Sequence, residues 1–451
     1  VVCLALAVSP LGKVRLGGTE ATPDYSYLGW FSMLFAAGMG IGLMFFGVSE
    51  PLSHFGTAFG GTVMENGVRT DWAPLGGAVG DAEAAARLGM AATIFHWALH
   101  PWAIYAILAL GLALFSFNKG LPLTIRSVFY PLLGERVWGW PGHIIDILAV
   151  LATLFGLATS LGYGAAQASS GLNYLFDVPL GATTQVLLVI GITAIALFSV
   201  VAVSVKNKKR LSEINMALAL LLMLFVIFVG PTLNIVTGFF SNVGAYFEYL
   251  PALSNPFGRE DANYSQGWTA FYWAWWISWS PFVGMFIARV SRGRTVREFI
   301  VSVLIVPSLA CVLWMTVFGE TAINQLVRDG YDAASKAELP LQLFSMLDAL
   351  PLAQITSFIA IVLVVVFFVT SSDSGSLVID IIAAGGKVDA PVPQRVFWAV
   401  FEGLVAIALI LGGGLVALQA MAVSTGLPFT LVLLASTLAI VKGLLSEPRA
   451  S

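Results

Sequence analysis

Long apolar runs alternate with short polar connectors along most of the chain. Ten runs reach twenty residues or more, near 26–50, 85–117, 141–172, 183–205, 212–239, 266–290, 296–318, 355–383, 395–417 and 419–443. A helix rising 1.5 Å per residue needs about 20 residues to cross some 30 Å of hydrocarbon, so each run predicts a membrane span. Runs beyond 25 residues imply tilt or extension past the headgroups. The opening VVCLALAVSP, residues 1–10, is too short to cross and reads as the end of one more helix. A long connector after Phe239 divides the ten runs into 26–239 and 266–443, with 240–265 between them. Five is odd, so the second group enters from the opposite side, the plan of inverted-repeat transporters that bind substrate midway through the bilayer. Within the connector, SNVGAYFEYLPAL (241–253) predicts an amphipathic segment on the outer face.

Composition supports an all-α polytopic membrane protein. The 451 residues are 58% apolar and 10% charged, against roughly a quarter charged in soluble domains. A net charge of -3 removes the basic surface that nucleic acid binding requires. Sorting alternate connectors places 17 of the 22 Lys and Arg residues in one set, which the positive-inside rule assigns to the cytoplasm. Cys3 and Cys311, both inside apolar runs, are expected as free buried thiols. No HExxH, GxSxG or acid pair at membrane depth is present, so no catalytic residues are expected.

Four features carry candidate chemistry. Gly38, Gly40, Gly42 and Gly47 crowd the first full run, each costing about 1 kcal/mol relative to Ala in a helix. A helix break at Gly38, Gly40 and Gly42 would free carbonyls for a cation, whereas close helix packing is the alternative. On a continuous helical wheel Trp97, Trp102 and Tyr105 share one face, and Trp273, Trp275, Trp276 and Trp279 crowd seven residues of a later span. Tryptophans gather at membrane interfaces, but two clusters beside expected helix breaks suggest a cage for a quaternary ammonium, held by ring quadrupoles. No carboxylate is expected inside the cage, which suits a substrate that carries its own. FFVTSSDSGS (367–376) offers the hydroxyls of Thr370, Ser371 and Ser374 for a monovalent cation, with Asp373 the one acid inside it; back-bonding to the preceding turn is the alternative. His96 and His100, four apart without an accompanying acid, are expected to pack beside the aromatics. RVSRGRTVR (289–297) is expected as a cytoplasmic, helix-capping turn able to pair with other inner loops.

GMGIGLMFFGVSEPLSHF (38–55), HWALHPWAIYA (96–106) and WAWWISWSPFVGMFIARVSRGRTVREFI (273–300) resemble the betaine/choline/carnitine transporter family, and FFVTSSDSGS follows in the expected order. The resemblance spans residues 10–445. It implies a LeuT-like fold of five-plus-five inverted repeats preceded by two extra helices, mostly missing here, and a multi-pass place in the bacterial plasma membrane. It places the aromatic box on Trp97, Trp102, Tyr105 and Trp276, and the central tryptophan pathway on Trp275 and Trp279, with Met39 beside the substrate. Na+ is the implied coupling ion, held by Ala36, Met39, Phe367, Thr370 and Ser371. A second sodium site would use Thr153 and Phe282, but Leu157 stands where a threonine is expected. Gly42 occupies the position of an aspartate in proton-coupled choline carriers, which points to a zwitterionic substrate and sodium. The expectation is a sodium-coupled symporter of a betaine-like solute, typically a homotrimer with no cofactor. Proton-coupled choline uptake and sodium-independent exchange of carnitine or betaine are the rivals.

Overall fold

The computed structural model describes every residue except 39, 62, 63, 67, 70–72, 203, 204, 389, 390 and 449–451. Among the described residues the regular structure is helical apart from a short antiparallel pair, Met64–Glu65 with Val68–Arg69, and an isolated bridge between Arg15 and Thr295. α1 (Val2–Val8) leads into α2 (Tyr27–Gly38) and α3 (Ile41–Gly60), which form one broken span bent by 62°. The break falls in the glycine stretch, where it was expected, though the span runs on to residue 60 rather than 50. Close approach explains two of the glycines. A Cβ on Gly38 would lie 3.3 Å from both Pro307 and Trp102, and one on Gly42 would lie 2.8 Å from Trp97 and 3.0 Å from Trp275.

α4 (Ala82–Trp97) and α5 (Leu99–Ala113) follow, with the Asp81 side chain capping α4 by accepting from the amides of Glu83 and Ala84. The short α6 (Tyr130–Leu133) precedes three long helices, α7 (Trp140–Phe176), α8 (Ala182–Ala202) and α9 (Val205–Val229). α10 (Thr232–Ser254) takes in the amphipathic segment but starts earlier than expected. Residues 232–239 belong to it and not to the span before, because the chain turns at Gly230–Pro231 and Pro231 caps the new helix. α11 (Ala270–Val290) runs unbroken through Pro281, so the break expected in the second aromatic run does not occur. α12 (Val296–Val327) starts with a full capping box between Thr295 and Glu298. The short α13 (Ala333–Lys336) and α14 (Gln342–Asp348) connect it to α15 (Ala353–Ala383).

The last element, α16 (Val392–Leu445), has 54 residues, about 80 Å at helical rise and far more than one crossing. It divides at Gly413–Gly414, where Gly414 takes a left-handed φ of 61° that favours glycine. The expected boundary lay four residues later. Seven described helices are long and apolar enough to cross a bilayer, or eight with the bent pair. Of the ten spans expected, α11 and a second arm of α16 are not among these helices as separate crossings. Large apolar side chains such as Phe198, Phe228, Leu427 and Leu431 point outward over these helices, the surface a membrane-embedded protein presents to acyl chains.

Candidate functional site

The helix axis is interrupted between Trp97 and Trp102. Ala98, at φ -104° and ψ -125°, separates α4 from α5. The continuous wheel that placed Trp97, Trp102 and Tyr105 on one face therefore does not describe them. They are gathered by tertiary contact around Trp276 of α11, with ring centroids 5.5 Å (Trp97), 6.0 Å (Trp102) and 5.0 Å (Tyr105) away. The pairs are tilted or edge-on, the arrangement aromatic quadrupoles favour. Trp102 is wholly buried and the other three nearly so, so the rings sit inside the protein and form no interfacial belt. Trp275 and Trp279 are tied to α7, Trp275 Nε1 donating to Ser160 Oγ (3.1 Å) and Trp279 Nε1 to the Gly156 carbonyl (2.9 Å). Trp273 turns away and packs against Phe95 and His100.

A carboxylate stands directly behind the rings, contrary to the expectation of a cage without an acid. Glu50 of α3 is 0% exposed. Its Oε2 accepts from Trp97 Nε1 at 2.7 Å and from the Tyr272 hydroxyl at 2.5 Å. Its Oε1 meets His96 Nδ1 at 2.5 Å and His54 Nε2 at 3.2 Å, and His96 Nε2 pairs with Thr269 Oγ1 at 2.9 Å. Trp97 and Tyr272 donate to one oxygen, and each histidine can donate to the other from the nitrogen that faces it, which together would fill the acceptor sites of an ionised carboxylate. His96 is thus accompanied by an acid after all, while His100 lies apart beside Trp273 and Ser254. Glu50, His54 and His96 present ligand-type atoms within 4.8 Å of one another, a spacing that suits a metal. Oε1 is bonded to both histidines, Oε2 to Trp97 and Tyr272, and the other His96 nitrogen to Thr269, which makes the cluster a hydrogen-bonded hub. One signal for Glu50 was visible: an acid inside an apolar span is a functional candidate by default.

Trp102 packs against Trp276, and Trp97, Tyr105, Trp275 and Trp276 line a cavity of about 70 Å³ with Ala37, Gly40, Gly42, Ser160 and Trp279. Trp276 Nε1 is buried beside it with no hydrogen-bond partner among the described residues. A second cavity of about 300 Å³ shares Ala37, Gly40, Trp279 and Val283 with the first and brings Ala36, Phe367, Thr370, Ser371 and Phe282 together. The sodium candidates of α2 and α15 thus share one space next to the rings. Thr370 Oγ1 bonds back to the Val366 carbonyl at 2.9 Å and Thr153 Oγ1 to the Ala149 carbonyl at 2.7 Å. Leu157 faces Gly375, where a Cβ would come within 2.3 Å of it. Met39, expected at both sites, lies outside the described residues.

The inner turn pairs with the segment before α2, as its charge suggested. Arg292 forms an ion pair with Asp24 at 3.2 Å, and Arg294 donates to the Tyr25 carbonyl and lies over the rings of Tyr27 and Trp30. On the outer face, Asp261 accepts from Arg259 and from the Leu75 amide. Burial pushes this carboxyl up, but the Arg259 hydrogen bonds and charge and the Leu75 amide outweigh it and hold it below the usual carboxylate range.

A family model described as betaine/carnitine/choline family transporter matches residues 1–449. A glycine betaine/proline/choline transporter of Vibrio parahaemolyticus is 74% identical over 451 residues, covering 100% of this chain and 82% of the relative. A glycine betaine transporter of the same organism is 56% identical, covering 99% of this chain and 83% of its own length. One from Acinetobacter baylyi is 43% identical over 97% of this chain and 64% of its own. Among solved structures, a manganese transporter of Eremococcus coleocola is similar at a TM-score of 0.50 and 15% identity, covering 95% of this chain and 83% of that one. That likeness concerns the fold alone.

Proposed function

The chain belongs to the betaine/carnitine/choline transporter family, and from that premise we propose that it is a sodium-coupled symporter of a betaine-type quaternary ammonium or sulfonium solute. Glycine betaine is the first candidate, as in the names of its relatives, and dimethylsulfoniopropionate has the same permanent charge beside a carboxylate. The protein is a carrier and not an enzyme. The observation that carries the substrate reading is the set of Trp97, Tyr105 and Trp276 lining one cavity, with Trp102 packed against Tyr105 and Trp276. A methylated cation cannot donate hydrogen bonds, so ring faces are its natural contact. The unpartnered Trp276 N–H is available to the substrate's carboxylate.

The sodium reading draws support from the second cavity. A cation there, among Ala36, Phe367, Thr370 and Ser371, sits against the same broken span that lines the substrate space, and two ligands that stabilise one arrangement raise each other's affinity. Residues 26–239 and 266–443 act as inverted repeats in this reading, alternating access around the fixed site. A homotrimer is part of the same proposal, for α10 leaves Leu233, Val236, Phe240 and Phe247 exposed along one side. The test is uptake of labelled glycine betaine by proteoliposomes. Trp276→Ala should raise the apparent KM about five- to thirtyfold, given about 1–2 kcal/mol for a desolvated cation–ring contact. Unchanged uptake would sink the cage. Equal uptake in potassium buffer would sink sodium coupling and leave the cage standing.

A further inference from the structure

A second acid lies at membrane depth, in neither of the linings of the two cavities. Glu402 is ten residues from Val392 and ten from Gly412 in the first arm of α16, so it stands about halfway along some 30 Å of helix. It is 0% exposed, and neither carboxylate oxygen has a hydrogen-bond partner among the described residues. The neighbouring polar atoms are orphaned as well. Trp398, one turn earlier, has a buried Nε1 without a partner, and so does Oγ1 of Thr193 on α8. Gly403 brings the two helices together here, for a Cβ at that position would lie 2.7 Å from Thr193 Oγ1. Toward the inner end, Asp380 of α15 is also 0% exposed, with Arg395 Nε 4.0 Å away.

Buried polar atoms are nearly always hydrogen-bonded, and several orphans in one place call for a further occupant. An intramembrane carboxylate without a cation is among the costliest groups a protein can bury. Arg395 approaches Asp380, and no described cation pairs with Glu402. Arg395 lies seven residues before Glu402 on the same helix, and Asp380 faces Arg395. α7 contributes Leu154 and Leu157, and α11 contributes Trp279 and Phe282, to the apolar cluster on which Trp398 packs. A metal cation would need several oxygens in place of its water shell, and the surroundings supply one carboxylate and one hydroxyl. A proton needs a single oxygen. We propose that Glu402 is a proton-binding site, with Thr193 Oγ1 as hydrogen-bond partner of the carboxyl group, and that its occupancy is linked to transport.

Protonation forms an O–H bond on one carboxylate oxygen, with the proton drawn from water on the side to which the site opens. The site is separate from the sodium site proposed above, so either assignment can fail alone. The primary test needs no substrate: infrared difference spectra of the whole chain in lipid nanodiscs between pH 5.5 and pH 8.5. A carboxylic C=O band that titrates in the unmodified protein should be lost in Glu402→Gln and shifted in frequency in Thr193→Val. In proteoliposomes with a fixed sodium gradient, Glu402→Gln should flatten the ratio of betaine uptake at the two pH values at least fivefold while substrate counterflow persists. Should Glu402→Gln fail to fold, the band shift in Thr193→Val decides. An unchanged band in either variant overturns the assignment, as does a Glu402→Gln variant that alters sodium dependence and keeps its pH profile.

Discussion

Replacing Glu50 separates two roles that one carboxylate combines, anchoring the rings and placing charge behind them. In Glu50→Gln the amide oxygen can take the side of Oε2, still accepting from Trp97 and Tyr272 at 2.7 and 2.5 Å. The amide nitrogen then faces His96 and His54, whose neutral rings can present an acceptor instead of a donor. All four contacts can survive, and only the charge is lost. Glu50→Ala leaves four donors without an acceptor, at about 1–3 kcal/mol for each that stays buried and unpaired. The alanine variant should therefore lose several degrees of Tm, and the glutamine variant little. Transport should differ in kind as well. Trp97 without its anchor loses at most a cation–ring contact of about 1–2 kcal/mol, so the apparent KM for glycine betaine should rise by up to about five- to thirtyfold in Glu50→Ala. In Glu50→Gln the rings stay in place, but a negative charge has gone. Choline, with net charge +1, should suffer more than the neutral zwitterion, whose carboxylate is relieved of repulsion. A shift of about 1 kcal/mol in their relative binding is about fivefold in the ratio of their KM values. The assay is competition uptake in proteoliposomes, with Tm measured on the same preparations. An unchanged choline to betaine ratio in a folded Glu50→Gln protein would refute the charge role, and an unchanged KM in Glu50→Ala would refute the anchor.

Other perturbations probe neighbouring contacts. Gly42→Ala adds a methyl that must displace Trp97 from 2.8 Å and Trp275 from 3.0 Å, so betaine KM should rise severalfold with little loss of Tm; a KM equal to that of the unmodified protein would contradict the close approach. Ser371→Ala should weaken the sodium dependence of uptake and spare sodium-free counterflow, and an unchanged sodium titration would remove this hydroxyl from the site. On the outer face, the Asp261 carboxyl is depressed in the folded protein, so its stabilising contribution is complete above the unfolded value of about 4 and fades as pH falls through the lower folded one. Asp261→Asn should therefore lower Tm at pH 7 and converge with the unmodified protein in strong acid; a Tm difference constant with pH would refute the Arg259 clamp.

Hydropathy along the chain determined the membrane class, most of the long apolar helices and the glycine break, because each is set by consecutive residues against the thickness of a bilayer. The rings of the cage were legible too, since indoles in an apolar span stand out as letters. Their geometry was not. The wheel through Trp97 and Trp102 failed at Ala98, where the backbone leaves the helix, and α11 passed Pro281 without a break. Glu50 meets Trp97 and Tyr272 across 47 and 222 residues of chain, and no local pattern records such a meeting. The same holds for Thr193 against Gly403, and for the cavity that joins α2 to α15. A period in the sequence reports which side of a helix is apolar. Which polar atom ends up facing which ring, and which is left without a partner, depends on how the helices pack around one another, and only the tertiary structure decided it.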